Sequence, residues 1–340
     1  MRSFGSDNNS GIHPIILEAL SEANQNHAVA YGNDPWTEKA IRLIKDYFGE
    51  QAEPFFVFNG TGANAIAIQA TTRSFQSILA AETAHIAVDE CGAPVFMSGA
   101  SLKEIPTPNG KLTPELLKPY LHHWGNEHHS QPKTIYISQC SELGTVYSVQ
   151  EIKDLADIAH DHTMYLHVDG ARLANAVVAI NSSFKEMITD TGVDILSFGG
   201  TKNGMMLGEA VVSFRKELSD NLKYIRKQSA QLYSKMRYCS AQFVAYLQHD
   251  LWRKNAAHAN RMAKLLRDAM TDLPQTHFTQ PTDANILLLK IPRKVINTLL
   301  ENHFFYIWNE ELDEIRWVTS WDTGEDDFSK LIEDLRKVVL

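Results

Sequence analysis

Three short, mainly apolar runs in this chain each break off into a glycine-bearing polar turn, and that pattern restricts the fold more than any other feature. Phe55–Phe58 leads into Asn59-Gly60-Thr61-Gly62-Ala63-Asn64, Met164–Val168 into Asp169-Gly170-Ala171-Arg172, and Asp194–Phe198 into Gly199-Gly200-Thr201-Lys202-Asn203-Gly204. Apolar runs of this length read as parallel strands buried on both faces. Further strands are expected near 77–81, 102–106, 134–137 and 210–214. Asp34-Pro35 predicts a helix to about Phe48, with Pro at the first helical position. Ser148-Val149-Gln150-Glu151 is a capping box that opens a helix to about His160, and another helix is expected near 113–122. Such alternation implies an α/β fold, a mostly parallel sheet with helices on both faces.

After about residue 240 the texture changes. One long helix is expected from Ala241 to Met270, ended by Asp272-Leu273-Pro274. A smaller α+β unit follows, with strands near 285–290, 304–308 and 315–319, a helix near 293–302 and a last helix. The expected division is a large domain over 1–245, including an N-terminal arm, and a small C-terminal domain over 246–340. The run Phe304-Phe305-Tyr306-Ile307-Trp308 reads as a core strand of the small domain.

A net charge of −9 over 340 residues, with no Lys/Arg-rich run, argues against a nucleic-acid partner. No stretch reaches the ~18 apolar residues of a membrane span. The polar start, Met1 to Asn8, lacks a signal-peptide core. Cys91, Cys140 and Cys239 are widely spaced and form no metal or disulfide pattern, which fits a reducing cytoplasm. His122-His123 and His128-His129 lack metal-ligand spacing and read as a solvated loop, so no metal is expected.

Lys202 is out of place as a solvated lysine. An amine pinned in a tight, partly dry turn has a lowered pKa and can attack a carbonyl; the plain alternative is a surface turn lysine. Asp169 ends a strand, where open α/β sheets bind ligands, or else it caps the helix that follows. Together they match the needs of pyridoxal phosphate. The lysine makes the covalent link, and the aspartate keeps the pyridine nitrogen protonated. Gly60, Thr61 and Gly62 before a helix supply free amides for a phosphate. The same loop also mimics a dinucleotide fingerprint, Gly60-x-Gly62-x-x-Ala65 with Glu82 downstream. That rival leaves Lys202, Asp169 and Arg172 without jobs.

In their order and spacing, further segments join this set: Ser6-Asp7-Asn8, Tyr31-Gly32-Asn33-Asp34, Glu82-Thr83-Ala84-His85, Arg316 and Ser320-Trp321-Asp322-Thr323. End to end, the chain resembles the low-specificity L-threonine aldolases of the beta-eliminating lyase/threonine aldolase family, fold-type I pyridoxal-phosphate enzymes. The resemblance implies Lys202 as the cofactor lysine, Asp169 as partner of the pyridine nitrogen and His85 as the histidine that stacks on the ring and lies near the substrate hydroxyl, the best histidine for its proton. It implies Gly60, Thr61 and Gly62 as the phosphate loop, with Thr201 beside the lysine. Ser6, Arg172 and Arg316 would hold the substrate carboxylate. Lys227, Lys235 and Arg237 would approach a neighbouring subunit's phosphate, with Tyr31 at the same boundary, in a homotetramer with shared active sites. The implied reaction is cleavage of threonine-like β-hydroxy-α-amino acids to glycine and an aldehyde. A β-eliminating lyase would share the same residues. The chain departs from the family after Ser138. Gln139-Cys140-Ser141-Glu142 stands where many relatives carry Asn-Thr-His, so a second active-site histidine is missing.

Overall fold

The computed structural model describes residues 3–339; of the polar start, Met1 and Arg2 lie outside the described residues. Eleven strands form two sheets among these residues. The large sheet contains β1 (Glu53–Val57), β2 (Gln76–Ala81), β3 (Ser101–Ile105), β4 (Gln131–Ser138), β5 (Tyr165–Gly170), β6 (Ile195–Gly199) and β7 (Glu209–Ser213). Their order is β1-β7-β6-β5-β4-β2-β3, and only β7 runs against the others. The small sheet is antiparallel, in the order β10 (Tyr306–Asn309), β11 (Glu314–Val318), β9 (Ile286–Lys290), β8 (His277–Phe278).

Strand residues alternate between the faces of the large sheet, as the pleat requires. Phe56, Leu196 and Val212 pack into the main core with the helices Pro35–Phe48, Val149–Asp161 and Met236–Leu247. Val57, Ile195 and Val211 face the other way, onto the helices Gly60–Thr71 and Lys216–Gln228. The helix Gly60–Thr71 is buried almost all round, so its Gly, Ala, Asn and Ile residues show no polar face. The small sheet has a core of its own around Trp317, Leu287, Leu289 and Ile296, which Phe4 of the N-terminal arm enters. Phe4 N–H donates to Phe304 O at 2.8 Å, and Val318 N–H donates to Phe4 O at 2.8 Å.

Both expected helix starts hold. Asp34 accepts from Thr37 N–H at 2.9 Å, and Ser148 and Glu151 form the reciprocal capping box. Three expectations need correction. The helix expected over 241–270 is two helices, Met236–Leu247 and Leu251–Asp268, because His249 and Asp250 take left-handed φ values of 56° and 55°. This turn redirects the chain from the main core at Leu247 to the small-sheet core at Met262 and Leu266. Near 113–122 there is one α-turn, Pro114–Leu117, and then a 3-10 turn, since Pro119 carries no N–H to continue the ladder. The aromatic run 304–308 is an edge rather than a core strand. Phe305 is buried, but β10 starts at Tyr306, which is exposed.

Candidate active site

The parallel strands β1, β2, β4, β5 and β6 end on one side of the large sheet, and antiparallel β7 begins there. Glu209 opens β7 opposite Gly199, and Ser138 lies beside Asp169. Ligands in open α/β sheets bind in this crevice. Two adjoining cavities occupy it. A cavity of about 350 Å³ is lined by Gly60, Thr61, His85, Asp169, Thr201 and Lys202, with Asn64, Glu90 and Glu209 among the other walls. A larger one of about 730 Å³ shares His85, Asp169 and Lys202 and adds Ser6, Glu142, Arg172 and Arg316, with Tyr306, Ile307 and Trp308 at the small-sheet side. The expected core strand is therefore a cavity wall.

Lys202 sits in a 3-10 turn closed by Gly204 at φ 103°. Its Nζ makes no hydrogen bond or ion pair among the described residues, and it faces both cavities. Burial lowers its pKa and Arg172 lowers it further, outweighing Asp7, Asp169 and Glu209. The surface-lysine reading fails on that placement. Gly199 must lack a side chain, because a Cβ there would lie 2.6 Å from Glu209 Oε2 and 2.9 Å from Ala171 Cα. Burial pushes the Glu209 carboxyl up to about 7, opposed by Thr201 and Lys202.

Asp169 is not a helix cap. The next helix starts at Leu173, after Arg172, and Asp169 Oδ1 instead accepts the Ala171 N–H at 2.9 Å. Its Oδ2 accepts from Tyr136 Oη at 2.7 Å and Asn64 Nδ2 at 2.8 Å. Burial opposes its charge, but His85, these two donors and Lys202 together hold its pKa below the ordinary value. Asn64 Nδ2 also reaches Glu90 Oε1 at 2.8 Å, and the same oxygen lies 2.8 Å from His85 Nδ1. A buried network thus joins His85 to Asp169 through Glu90 and Asn64. Burial pulls the His85 pKa down, but the Glu90 bond and the Asp169 charge leave it raised.

At the other rim, Asn59 caps the helix by accepting from Gly62 N–H at 2.7 Å, and Ala63 N–H bonds to the Asn59 carbonyl. The Gly60 and Thr61 amides, at the first two helical positions, have no intrahelical partner and line the small cavity. Gly60 has open space where a Cβ would point. Gly62 differs. A Cβ there would overlap the Gln231 amide, whose Oε1 accepts from Phe58 N–H at 2.9 Å. Its lack of a side chain serves Gln231 rather than a ligand.

Arg172 is already engaged. Its Nε and Nη2 form a two-pronged bond to buried Asp7 at 2.7 and 2.8 Å. Burial opposes the Arg172 charge, but Asp7 raises its pKa overall. The Arg316 side chain makes no ion pair or hydrogen bond among the described residues, and its buried Nε has no partner. It lies 4.6 Å from the Trp308 ring centre, with its pKa lowered by burial and by Arg172. A guanidinium left unpaired beside a cavity is a receptor for an anion. Ser6 lines the same cavity, with its Oγ accepting from Asn8 N–H.

Tyr31, Lys227, Lys235 and Arg237 line neither cavity. Lys227 Nζ lies 5.4 Å from the Tyr31 ring centre, and Arg237 donates to Asn26 O at 2.9 Å, so they form a separate surface corner. Asp7, Asn64, Glu90, Tyr136, Glu142 and Glu209 are site residues that the sequence reading missed. Asp7 and Asn64 stood in recognised segments and Glu142 in the segment that departs from the family pattern; Glu90, Tyr136 and Glu209 carry no motif, and only tertiary packing brings them to the crevice. The dinucleotide rival fails on topology, because β1 and β2 lie at opposite sides of the sheet rather than as neighbours.

The residues present suit a cofactor with an aldehyde, a basic ring nitrogen and a phosphate. They offer a free amine, a carboxylate held ionised, and two open amides at a helix start, around one cavity. Comparison with known proteins agrees with this geometry. Residues 3–292 match the family model described as beta-eliminating lyase. The chain is 39% identical over 340 residues to a low specificity L-threonine aldolase of Pseudomonas aeruginosa, covering 99% of this chain and 98% of that one. A solved threonine aldolase structure from Leishmania major superposes with a TM-score of 0.94 at 29% identity, covering 100% of both chains. At 14% identity, a histidinol-phosphate aminotransferase from Clostridium acetobutylicum shares the fold, with a TM-score of 0.77 over 99% of both chains. With the expected α/β architecture and the crevice residues both in place, the chain belongs to the beta-eliminating lyase family.

Proposed function

We propose that this protein is a pyridoxal-phosphate-dependent lyase that cleaves threonine-like β-hydroxy-α-amino acids to glycine and an aldehyde. One observation carries the reading: the unbonded, desolvated Lys202 amine shares a crevice with ionised Asp169 and with the unpaired guanidinium of Arg316. When bound, the cofactor supplies an electron sink for the bond that breaks at Cα. Lys202 would hold the cofactor through its aldehyde, and Asp169 would keep a proton at the ring nitrogen. Gly60, Thr61 and Thr201 would hold its phosphate, and His85, on the wall of the same cavity, would pack against its ring. Arg316 binds the substrate carboxylate, helped by Ser6 and by the part of Arg172 that Asp7 leaves free. Fixing that carboxylate would orient the substrate in the crevice, so that binding and alignment of the bond to be broken come from the same residues.

Residues 1–245 serve as the cofactor-binding domain and 246–340 as the small domain. Tyr31, Lys227, Lys235 and Arg237 reach a neighbouring subunit's site in a homotetramer. The three free cysteines fit a cytoplasmic setting.

The test is incubation of cofactor-loaded protein with L-threonine and identification of the products. Glycine and acetaldehyde are expected; ammonia and an oxo acid would assign β-elimination instead. Borohydride should fix the cofactor on Lys202. Lys202→Ala should lower turnover by at least ~10³-fold, the scale on which nucleophile removal acts, and an active, colourless variant would refute the reading.

A further inference from the structure

We propose that Glu142 is the acceptor of the substrate's β-hydroxyl proton, an inference that rests on the aldol-cleavage reading of the same crevice. Four carboxylates line the large cavity. Glu82 and Asp89 are exposed, and Asp169 is taken up by Tyr136, Asn64 and the Ala171 N–H. Glu142 is the remaining one. It is buried at 7% exposure and has no cation within ion-pair distance among the described residues. Both of its side-chain hydrogen bonds fall on Oε1, from Ser138 Oγ at 2.5 Å and from the His85 N–H at 2.8 Å. These two bonds orient the carboxylate, and no residue described here bonds Oε2. The second bond comes from the backbone of His85, and Glu142 lines the same cavity as Asp169, Lys202 and Arg316.

The competing acceptor is His85 itself, and its surroundings disfavour it. Glu90 at Nδ1 and the charge of Asp169 leave its pKa raised, which favours the protonated ring. Its Nδ1 is also engaged by Glu90, which leaves that nitrogen closed to a substrate proton. Burial pushes the Glu142 carboxyl up, with Ser138 and the nearby N–H groups opposing and Asp169 adding to the rise. A carboxylate whose pKa is raised is a stronger base than an ordinary one. The titratable and charged groups that line the cavity with it are Glu82, His85, Asp89, Asp169, Arg172, Lys202 and Arg316. Tyr136, Cys140 and Tyr147 also lie near it, all with pKa values raised by burial, and Cys140 lines the same cavity.

The step balances without any added reagent. The β-hydroxyl proton passes to Glu142, and the O–H bonding pair becomes the second bond of the aldehyde carbonyl. The Cα–Cβ bond breaks with its pair left at Cα. Cα then takes up one proton to give glycine, and Glu142 gives up the one it gained.

Glu142→Gln tests this in the cofactor-loaded protein. The glutamine oxygen can still accept from Ser138 and the His85 N–H, but the amide takes no proton. Cleavage of L-threonine should fall by about 10²–10⁴-fold, the range for loss of a general base. Three readouts should stay within a few-fold of the parent: cofactor absorbance, glycine affinity by spectral titration, and exchange of the glycine α-hydrogen with solvent. None of them moves a hydroxyl proton. Undiminished cleavage would overturn the proposal. So would loss of glycine binding and exchange together with cleavage, since that marks a brace for His85. Failure of the parent protein to cleave threonine would instead remove the aldolase reading itself, and this proposal with it. Ser138→Ala gives an independent check. It deletes a bond that holds the Glu142 pKa down, so the acid limb of the kcat/KM profile should move to higher pH, and an unmoved limb counts against Glu142.

Discussion

His167 shows how far burial alone sets chemistry in this protein. It lies on β5 two residues before Asp169, fully buried, with Nε2 3.0 Å from Ser197 Oγ and its ring edge-on to Tyr136. Its Nδ1 has no partner among the described residues. Burial lowers its pKa to about 4, against a raising pull from Asp169. The fold therefore keeps it neutral, while the unfolded chain takes up a proton below its ordinary pKa near 6.5. Its contribution is fully present above that value and is lost as pH falls toward about 4. At roughly 1.4 kcal/mol per pH unit, the loss amounts to about 3 kcal/mol. Urea midpoints measured across that window should fall more steeply for the parent than for His167→Asn; parallel curves would refute the assignment. Nothing local in the sequence marks His167 as different from His85, which lies three residues after Glu82 in another strand-end segment. The distinction comes from depth in the sheet, which only the strand order reveals. Lys202 and Asp169 were legible because a charge at the end of an apolar strand is itself a local anomaly. Glu142 was legible only as a departure from a family pattern.

At the scale of an element, the loop and helix from Asn59 to Thr71 carry two demands at once. The capping asparagine and the open amides suit a phosphate, and the helix body must also be small enough to be buried nearly all round. Gly62 belongs to the second demand, since its missing Cβ makes room for Gln231. Gly62→Ala should push Gln231 aside, lose its bond to Phe58 N–H and destabilise the protein by about 1–3 kcal/mol, the usual scale of overpacking. The companion Gly62→Ala/Gln231→Ala should recover most of that loss in denaturant melts. If the pair is no better than the single change, the loop itself rather than Gln231 requires the glycine. The sequence reading placed this loop and its helix correctly because capping and glycine signals are local. It misassigned the run 241–270 because helical periodicity persists across His249 and Asp250, and no glycine or proline marks the break. It took the aromatic run 304–308 for core because hydrophobicity does not distinguish a buried strand from one that walls a cavity.

Across the whole molecule, the crevice is shared by three parts of the chain. The large sheet supplies Asp169 and Lys202, the small sheet supplies Arg316, and the N-terminal arm supplies Ser6 and the Asp7 that holds Arg172. The arm is anchored by Phe4, which is 1% exposed and packed 6.5 Å, ring centre to ring centre, from Trp317. Phe4→Ala should cost about 3–5 kcal/mol if its seat cannot collapse. It should also raise KM for the amino acid more than it lowers cofactor loading, because the arm touches the substrate side of the crevice. Equal losses in both would mean that Phe4 serves general stability alone. The α/β class and the smaller second sheet were visible in the strand and helix pattern. The arm's destination was not, since a contact between residues 4 and 317 leaves no local trace.

That long reach has a consequence for the order of assembly during synthesis. Segments emerging from a ribosome tend to settle in sequence, but the arm cannot. Its backbone partners are Phe304 and Val318, so one of the first pieces made must wait for some of the last. Until then Asp7 has no fixed address, and Arg172 stands beside the crevice with its charge unanswered. A nascent or truncated chain should therefore hold the cofactor-binding sheet before it can hold an amino acid.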